Sequence, residues 1–256
     1  MRLRRKVEHR NNEQMTFSKD RIKAILFDYG NTLIEFGPSQ IKVQYTALEM
    51  ELRRMFGYCN SSHLKNIRDR QALAPFTSGF RENDLKSITG ELIREIYNVV
   101  PKESQINALI QARYKSFVNV VKLSSDVLQL LKKVNKRYRL GLVSNYPCSR
   151  SIQHSLMKLG LSDILEAVVI SGDVGYVKPH ARPFEAILNL LSLHPKECVY
   201  VGDNWLADVQ GAKRMGMYSI LTAQYTPYES FDPVNGDHNP DATIKNLNEL
   251  EELLLR

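Results

Sequence analysis

Polar and charged side chains follow several short apolar runs of this 256-residue chain. Asp28 comes directly after the first run, and Ser144 and Asn145 end the second. Lys178 lies beyond a third run, after a glycine-containing loop, and Asp203 follows a fourth. In open α/β sheets, ligands bind outside the carboxyl ends of the strands. If the runs are strands, we expect a carboxylate, a hydroxyl, an amide, an ammonium and a second carboxylate to converge at one sheet edge.

The carboxylates of Asp28, Asp203 and Asp208 would repel one another strongly at such an edge. A divalent cation would relieve the repulsion, and all-oxygen ligands favour a hard ion such as Mg²⁺, which keeps waters and substrate phosphate oxygens in its shell. Lys178 would add positive charge for an anionic substrate and its transition state. Singly, the later aspartates could flank a helix N-terminus and the lysine could lie on the surface. Together, the four residues are better explained by a metal and anion site.

The apolar runs indicate the elements that position these side chains. Buried strands are predicted at Ala24–Phe27, Leu140–Val143, Ala167–Ile170, Cys198–Val201 and Ser219–Leu221, with a last short strand near Ala242–Ile244. Helical periodicity separates the later strands, and a final helix is expected over Leu247–Leu255. Strands that alternate with helices predict an α/β fold with a doubly wound, mostly parallel sheet.

The segment between the first two strands is far longer than a crossover helix requires. Four amphipathic stretches run through it, which predicts an inserted helical bundle. We therefore expect a basic tail over residues 1–20, an α/β core formed by residues 20–38 and 122–256, and a helical cap over residues 39–121. Residues 225–240, rich in proline, aspartate and asparagine, indicate a long loop.

The net charge of +7 is concentrated at the N-terminus, where residues 1–23 contain eight basic and three acidic residues. A solvated, disordered tail explains this better than an arm for RNA or a membrane surface, so no nucleic acid partner is expected. No stretch reaches the roughly 18 apolar residues of a membrane span, and no signal peptide is evident, so we expect a cytoplasmic protein. The sequence does not indicate an oligomeric state.

Four motifs resemble those of the haloacid dehalogenase-like superfamily of hydrolases, most of which are phosphatases. The resemblance covers about residues 22–255 and implies a Rossmann-like core with a helical cap between the first two motifs. The motifs are Asp28-Tyr-Gly-Asn-Thr32-Leu, Ser144-Asn145, Lys178-Pro179 after Gly172-Asp-Val-Gly175, and Gly202-Asp203-Asn-Trp-Leu-Ala-Asp208.

The resemblance implies a role for each matching residue. Asp28 would attack phosphorus to give an aspartyl-phosphate, which divides one hard displacement into two steps. Ser144 would hold phosphoryl oxygens with help from Asn145, and Lys178 would pair with Asp28 and the phosphoryl group. Thr32 would order the motif loop or, less simply, contact the substrate. The implied substrate is a small-molecule phosphate ester.

The implied Mg²⁺ ligands are Asp28, the backbone carbonyl of Gly30 and Asp203, with Asp208 as a further ligand or a partner of the ligands. Gly30 is a departure from the family pattern, because most of its phosphatases have a general acid and base, an aspartate, at this position. Its loss removes proton transfer that is typically worth about 10² to 10⁴-fold in rate. The enzyme would then act on esters with good leaving groups or obtain an acid from elsewhere, for example from the cap or near Trp205.

Several other functions stay open. A non-catalytic binding module is favoured by Gly30 and opposed by the four retained ionisable residues. A dehalogenase also lacks the second aspartate, but it resembles this pattern with a tyrosine at that position and without the metal-binding Gly-Asp pair. A phosphonate hydrolase needs a cap lysine, for which Lys42 and Lys65 are available without being singled out. Transfer of the phosphoryl group to a hydroxyl is a further variant of the same chemistry.

Basic residues of the predicted cap could favour a substrate with additional negative charge. Most of them are better explained as solvated helix faces. They are Arg53, Arg54, Arg68, Arg70, Arg81 and Lys86.

Overall fold

The computed structural model describes residues 19–226 and 238–255, which contain one parallel sheet of six strands. The strands are β1 (Ala24–Phe27), β2 (Arg139–Ser144), β3 (Ala167–Ile170), β4 (Cys198–Gly202), β5 (Tyr218–Thr222) and β6 (Ala242–Ile244). Their order is β3-β2-β1-β4-β5-β6, and every neighbouring pair is parallel. The predicted α/β fold with a parallel sheet is therefore confirmed. The predicted tail, apart from residues 19 and 20, and most of the predicted long loop lie outside the described residues.

Both faces of the sheet are covered, which explains why its strands are apolar throughout. Ile25 and Phe27 point into a large core on one face, whereas Ala24 and Leu26 pack on the other face against a group that includes Phe184. This alternation is the two-residue period of a strand. Strands buried on both faces read as continuous apolar runs, and this is why the sequence predicts them well.

Helices connect the strands and cover them. They are α1 (Pro38–Phe56), α2 (Ser61–Thr77), α3 (Leu85–Tyr97), α4 (Glu103–Val120), α5 (Ser125–Val134), α6 (Ser149–Lys158), α7 (Ser171–Val174), α8 (Ala181–Leu191) and α9 (Gly211–Arg214), with shorter helical turns at Trp205–Gln210, Leu247–Glu249 and Glu251–Leu255. No helix within residues 19–226 and 238–255 is both long and apolar enough to cross a membrane.

Helices α1 to α4 all lie between β1 and β2 in the chain and share a core of their own. Leu52, Leu64, Leu92 and Leu109, one from each helix, are buried together there. This core is separate from the two clusters that cover the sheet. The boundaries of the cap, and its closure over a site, stay predictions.

The segment between α2 and α3 is hydrogen-bonded to the chain that leads to Lys178. Arg81 and Tyr176 form an isolated antiparallel bridge, the Val177 N–H donates to the Phe80 carbonyl at 2.9 Å, and the Glu82 N–H donates to the Gly175 carbonyl at 3.0 Å. The helical bundle thus contacts the carboxyl edge of the sheet directly.

Candidate active site

Asp28 lies at the carboxyl end of β1, the central strand of the sheet. Its backbone N–H donates to the Val201 carbonyl at 2.9 Å, which continues the pairing of β1 with β4 and fixes the backbone from which the carboxylate projects. Burial raises the pKa of this carboxyl to about 6, against the opposing effect of the Lys178 ammonium. Asp28 is therefore both desolvated and ion-paired.

Lys178 is 1% exposed and its ammonium lies between two carboxylates. Its Nζ donates to Asp28 Oδ1 at 2.6 Å, to Asp208 Oδ1 at 2.7 Å and to the Tyr200 hydroxyl at 2.6 Å. Burial lowers the pKa of Lys178, but the carboxylates of Asp208 and Asp28 outweigh it, so the net shift is upward. All three N–H bonds are satisfied, which is the condition under which a lysine can be buried as a cation.

Asp208 is held from two sides and depends on a neighbouring glycine. Besides the bond from Lys178, its Oδ2 accepts the Asn204 N–H at 2.9 Å. A Cβ at Gly202 would lie 2.3 Å from that same Oδ2. Since no real Cβ contact is that short, the close approach of Asp208 to the end of β4 requires glycine at position 202.

Asp203 completes a group of three carboxylates. One oxygen each of Asp28, Asp203 and Asp208 can be chosen so that all lie within 4.8 Å of one another. Burial, followed by repulsion from Asp28 and Asp208, raises the pKa of Asp203 to about 8, although Thr226 donates to its Oδ2 at 3.0 Å. Three carboxylates face a single ammonium, so the site has an excess of negative charge. This oxygen-rich, electron-rich donor set fits a hard divalent cation.

The other predicted site residues lie around the same opening. A cavity of about 260 Å³ is lined by the three aspartates together with Gly30, Ser144, Asn145 and Lys178. The Ser144 hydroxyl has no hydrogen-bond partner within the described part of the chain. The side-chain amide of Asn145 accepts from the Lys178 N–H at 2.8 Å and donates to the Lys178 carbonyl at 3.0 Å, and its predicted contact with a phosphoryl group, through backbone or side chain, stays a prediction. The amide therefore positions the lysine.

Comparison with known proteins assigns the chain to a family. The family model for haloacid dehalogenase-like hydrolases matches residues 25–222, which include all four motifs. The chain belongs to this family of hydrolases.

Three proteins that this chain resembles are a curated phosphatase and two solved structures. A glyceraldehyde 3-phosphate phosphatase of Methanopyrus kandleri is 26% identical over 234 residues, which cover 91% of this chain and 97% of the relative. Among solved structures, a 2-haloacid dehalogenase from Pseudomonas syringae is similar with a TM-score of 0.70 and 24% identity over 92% of this chain and 99% of that one. A putative hydrolase of the family from Bacillus subtilis, bound to magnesium, has a TM-score of 0.67 and 18% identity over 91% and 99%. At these identities the structures establish the fold alone.

Thr32 is the one predicted site residue that the structure does not bring to the opening. Its side chain is fully buried, it does not line the cavity, and its Oγ1 has no hydrogen-bond partner within residues 19–226 and 238–255. Its position does not support direct contact with a substrate. Its neighbour Leu33 is also fully buried and does not line the cavity, which indicates that this part of the motif belongs to the core.

Two residues that the sequence did not single out contact the charged groups. Tyr200 lies in the middle of β4, accepts from Lys178 and donates to the Val143 carbonyl at 3.0 Å. The only signal in the sequence is a polar hydroxyl within an otherwise apolar strand. Thr226 lies four residues after the end of β5 and carries no pattern that connects it to Asp203, so only the structure identifies it.

Proposed function

We propose that this hydrolase is a Mg²⁺-dependent phosphatase that acts on small-molecule phosphate esters through an aspartyl-phosphate. The observation that carries the proposal is the convergence of three carboxylates within 4.8 Å around one fully buried lysine. The similarity to a glyceraldehyde 3-phosphate phosphatase along nearly the whole chain supports the same reaction class.

The residues suited to hold Mg²⁺ are Asp28, Asp203, Asp208 and the backbone carbonyl of Gly30. When bound, the ion would neutralise charge on the phosphoryl oxygens and on the carboxylates that surround them. The raised pKa values of Asp28 and Asp203 would fall as that positive charge is added, which leaves Asp28 ionised at neutral pH.

In the first step a carboxylate oxygen of Asp28 attacks phosphorus, a new phosphorus–oxygen bond forms, and the bond to the leaving oxygen breaks. Lys178 stabilises the negative charge of the transferring phosphoryl group because it already lies 2.6 Å from Asp28. The Ser144 hydroxyl, which lines the same cavity, is placed to donate to a phosphoryl oxygen. These contacts position the reactants, and positioning is the main requirement of phosphoryl transfer.

In the second step water attacks phosphorus, the bond to Asp28 breaks, and inorganic phosphate leaves. Gly30 offers no side chain to give a proton to the leaving oxygen or to take one from the water. We therefore propose that the enzyme favours leaving groups that depart without protonation, such as acyl, aryl or anomeric phosphates. This restriction follows from the worth of general acid catalysis, about 10² to 10⁴-fold.

A non-catalytic binding module is the second candidate, and Gly30 is the observation that favours it. Against it, the four ionisable residues Asp28, Lys178, Asp203 and Asp208 are in contact or closely spaced. Burial of these charges has an unfavourable desolvation free energy, which catalysis explains better than simple binding does. The carboxylate cluster also argues against the dehalogenase alternative. For a phosphonate hydrolase, Lys42 and Lys65 are unsuitable because neither lines this cavity.

Phosphate release tests the proposal. The substrates are p-nitrophenyl phosphate, acetyl phosphate, a sugar 1-phosphate and a simple alkyl phosphate, each with Mg²⁺ or with EDTA, and each with the Asp28→Asn variant. We expect turnover of the first three that needs Mg²⁺ and is lost in the variant. Absence of release from all four would favour the binding module.

A further inference from the structure

A second cavity, of about 300 Å³, lies between the helical bundle and the carboxyl edge of the sheet. It shares Phe36, Phe76, Asn145 and Tyr146 with the cavity at Asp28, so the two cavities are adjacent. A ligand with its phosphate group at Asp28 would reach the second cavity past these shared residues.

Two arginines line this second cavity. Arg113, from α4, is 8% exposed, and Arg68, from α2, is half-buried. Within the described residues neither makes an ion pair: Arg113 Nε donates to the Tyr146 hydroxyl at 3.5 Å, and Arg68 Nη1 donates to Gln71 Oε1 at 3.2 Å. Most of the hydrogen-bond capacity of the two guanidinium groups, five N–H bonds each, is therefore not taken up by other described residues.

Four other basic residues of the bundle are ordinary solvated surface residues. Arg53, Arg54, Arg70 and Lys86 each form an ion pair with a glutamate on an exposed helix face. Such surface pairs contribute little to stability. Arg68 differs from them by facing the cavity without a carboxylate partner.

The two carboxylates that line the second cavity are bound elsewhere. Asp69 accepts from the Tyr45 hydroxyl at 2.7 Å and pairs with Lys65. Glu82 accepts from the Ser171 hydroxyl and from the Asn83 N–H, and burial raises its pKa, which disfavours its ionised form.

The two guanidinium groups repel each other, and the nearby carboxylates of Asp69 and Glu82 offset this repulsion only in part. Burial, followed by the charge of Arg113, lowers the pKa of Arg68 to about 9. Buried charges without a partner are costly, and an anionic ligand would remove that cost.

We infer that Arg68 and Arg113 form a second anion subsite, which binds a carboxylate or a second phosphate group at the far end of the substrate. This inference rests on the proposed function and adds a substrate class to it: a phosphate ester with two anionic groups. Guanidinium groups recognise both carboxylate and phosphate through paired N–H bonds.

Tyr146 sets the spacing between the subsite and the reacting phosphate. It follows Ser144 by two residues, and its hydroxyl accepts from Gln44 Nε2 at 3.0 Å and from Arg113 at 3.5 Å, while the Arg113 guanidinium lies 5.1 Å from its ring. One tyrosine side chain thus separates the end of β2 from Arg113. A short carbon chain that packs against Phe36 and Phe76 would connect the two anionic groups.

Matched substrates test the subsite. We would measure kcat/KM for ω-phosphooxy alkanoates of two to about five carbons, for the corresponding alkanediol bisphosphates, and for the same chains with a terminal hydroxyl. One chain length should show a preference of about 10- to 100-fold for an anionic terminus, the range expected for a hydrogen bond to a charged group. Comparison of the carboxylate and bisphosphate series identifies which anion is recognised.

Variants assign that preference to the arginines. Arg113→Gln and Arg68→Gln should each reduce the preference toward one, and Arg113→Lys should restore part of it. Arg70→Gln is the matched control, because Arg70 lies on the same helix as Arg68 but is exposed and paired with Glu95, and it should keep the preference.

Three results would overturn the inference: equal kcat/KM for anionic and hydroxyl termini at every length, variants that keep the preference, or a control that loses it. The proposed function fails only if p-nitrophenyl phosphate, acetyl phosphate and a sugar 1-phosphate also release no phosphate; absence of release from the present alkyl esters alone agrees with a preference for better leaving groups. In that case calorimetric binding of the same series to Asp28→Asn still decides whether the anionic terminus is recognised. Equal affinities for the two termini would then overturn the subsite as well.

Discussion

Substitution of Gly30 by aspartate tests whether the missing carboxylate limits the reaction. The structure has room for it: a Cβ at position 30 would meet only Phe36 Cβ at 3.5 Å, an ordinary van der Waals contact, and Gly30 does not need a positive φ. Gly30 is partly exposed and lines the cavity beside Asp28. The new carboxyl would therefore project near the reacting phosphate without a shift of the backbone.

The expected gain depends on the leaving group. A positioned general acid contributes about 10² to 10⁴-fold, which corresponds to about 3 to 5 kcal/mol of activation free energy. An alkyl phosphate, whose alkoxide must be protonated as it leaves, should gain within this range. A p-nitrophenyl ester should gain much less, because p-nitrophenolate departs without a proton.

The assay is kcat for phosphate release from the alkyl and aryl esters, in wild type, Gly30→Asp and Gly30→Asn. The asparagine variant has the same shape and no acid, so it should resemble wild type. An equal change in both variants would show that shape, and not proton transfer, is responsible. No gain for the alkyl ester in Gly30→Asp, with Mg²⁺ dependence retained, would refute the reasoning.

Three other predictions concern the charged cluster. Gly202→Ala should force Asp208 away from its hydrogen bonds, because the new Cβ would collide with its carboxylate. A displacement of about 1 Å should lower kcat/KM about 10²-fold. The control Gly57→Ala, at the end of α1 and outside the four motifs, should affect only thermal stability. Lys178→Met should lower the free energy of unfolding in urea by about 3 kcal/mol at neutral pH, because two buried carboxylates lose their cation; an unchanged midpoint would contradict this. Because the pKa values of Asp28 and Asp203 are raised, the metal-free folded state binds protons more tightly than the unfolded chain between about pH 4 and 8. Its free energy of unfolding should therefore fall as pH rises through this range. The increase in melting temperature caused by Mg²⁺ should grow from about pH 6 to 8.5, because the ion binds the deprotonated carboxylates. A metal effect that shrinks with rising pH would rule out these carboxylates as the ligands.

The amino-acid sequence by itself determines the strands and the residues at their ends. Strands buried on both faces must be apolar throughout, so the runs before Asp28, Ser144 and Asp203 are visible without a structure. Parallel strands end at a common edge, and from this the convergence of Asp28 and Asp203 could be predicted. The long insertion after β1 and its helical periodicity are equally local properties.

Tertiary structure alone decides which side chains meet and which remain without partners. The strand order β3-β2-β1-β4-β5-β6, the bonds of Asn145 to Lys178 and the contact of Tyr200 with the same lysine join residues that are distant in the chain. Arg68 and Arg70 are two residues apart on one helix, and their residue type alone does not distinguish a role for either. Packing turns the first toward a cavity and the second toward Glu95, because successive positions on a helix point in directions about 100° apart.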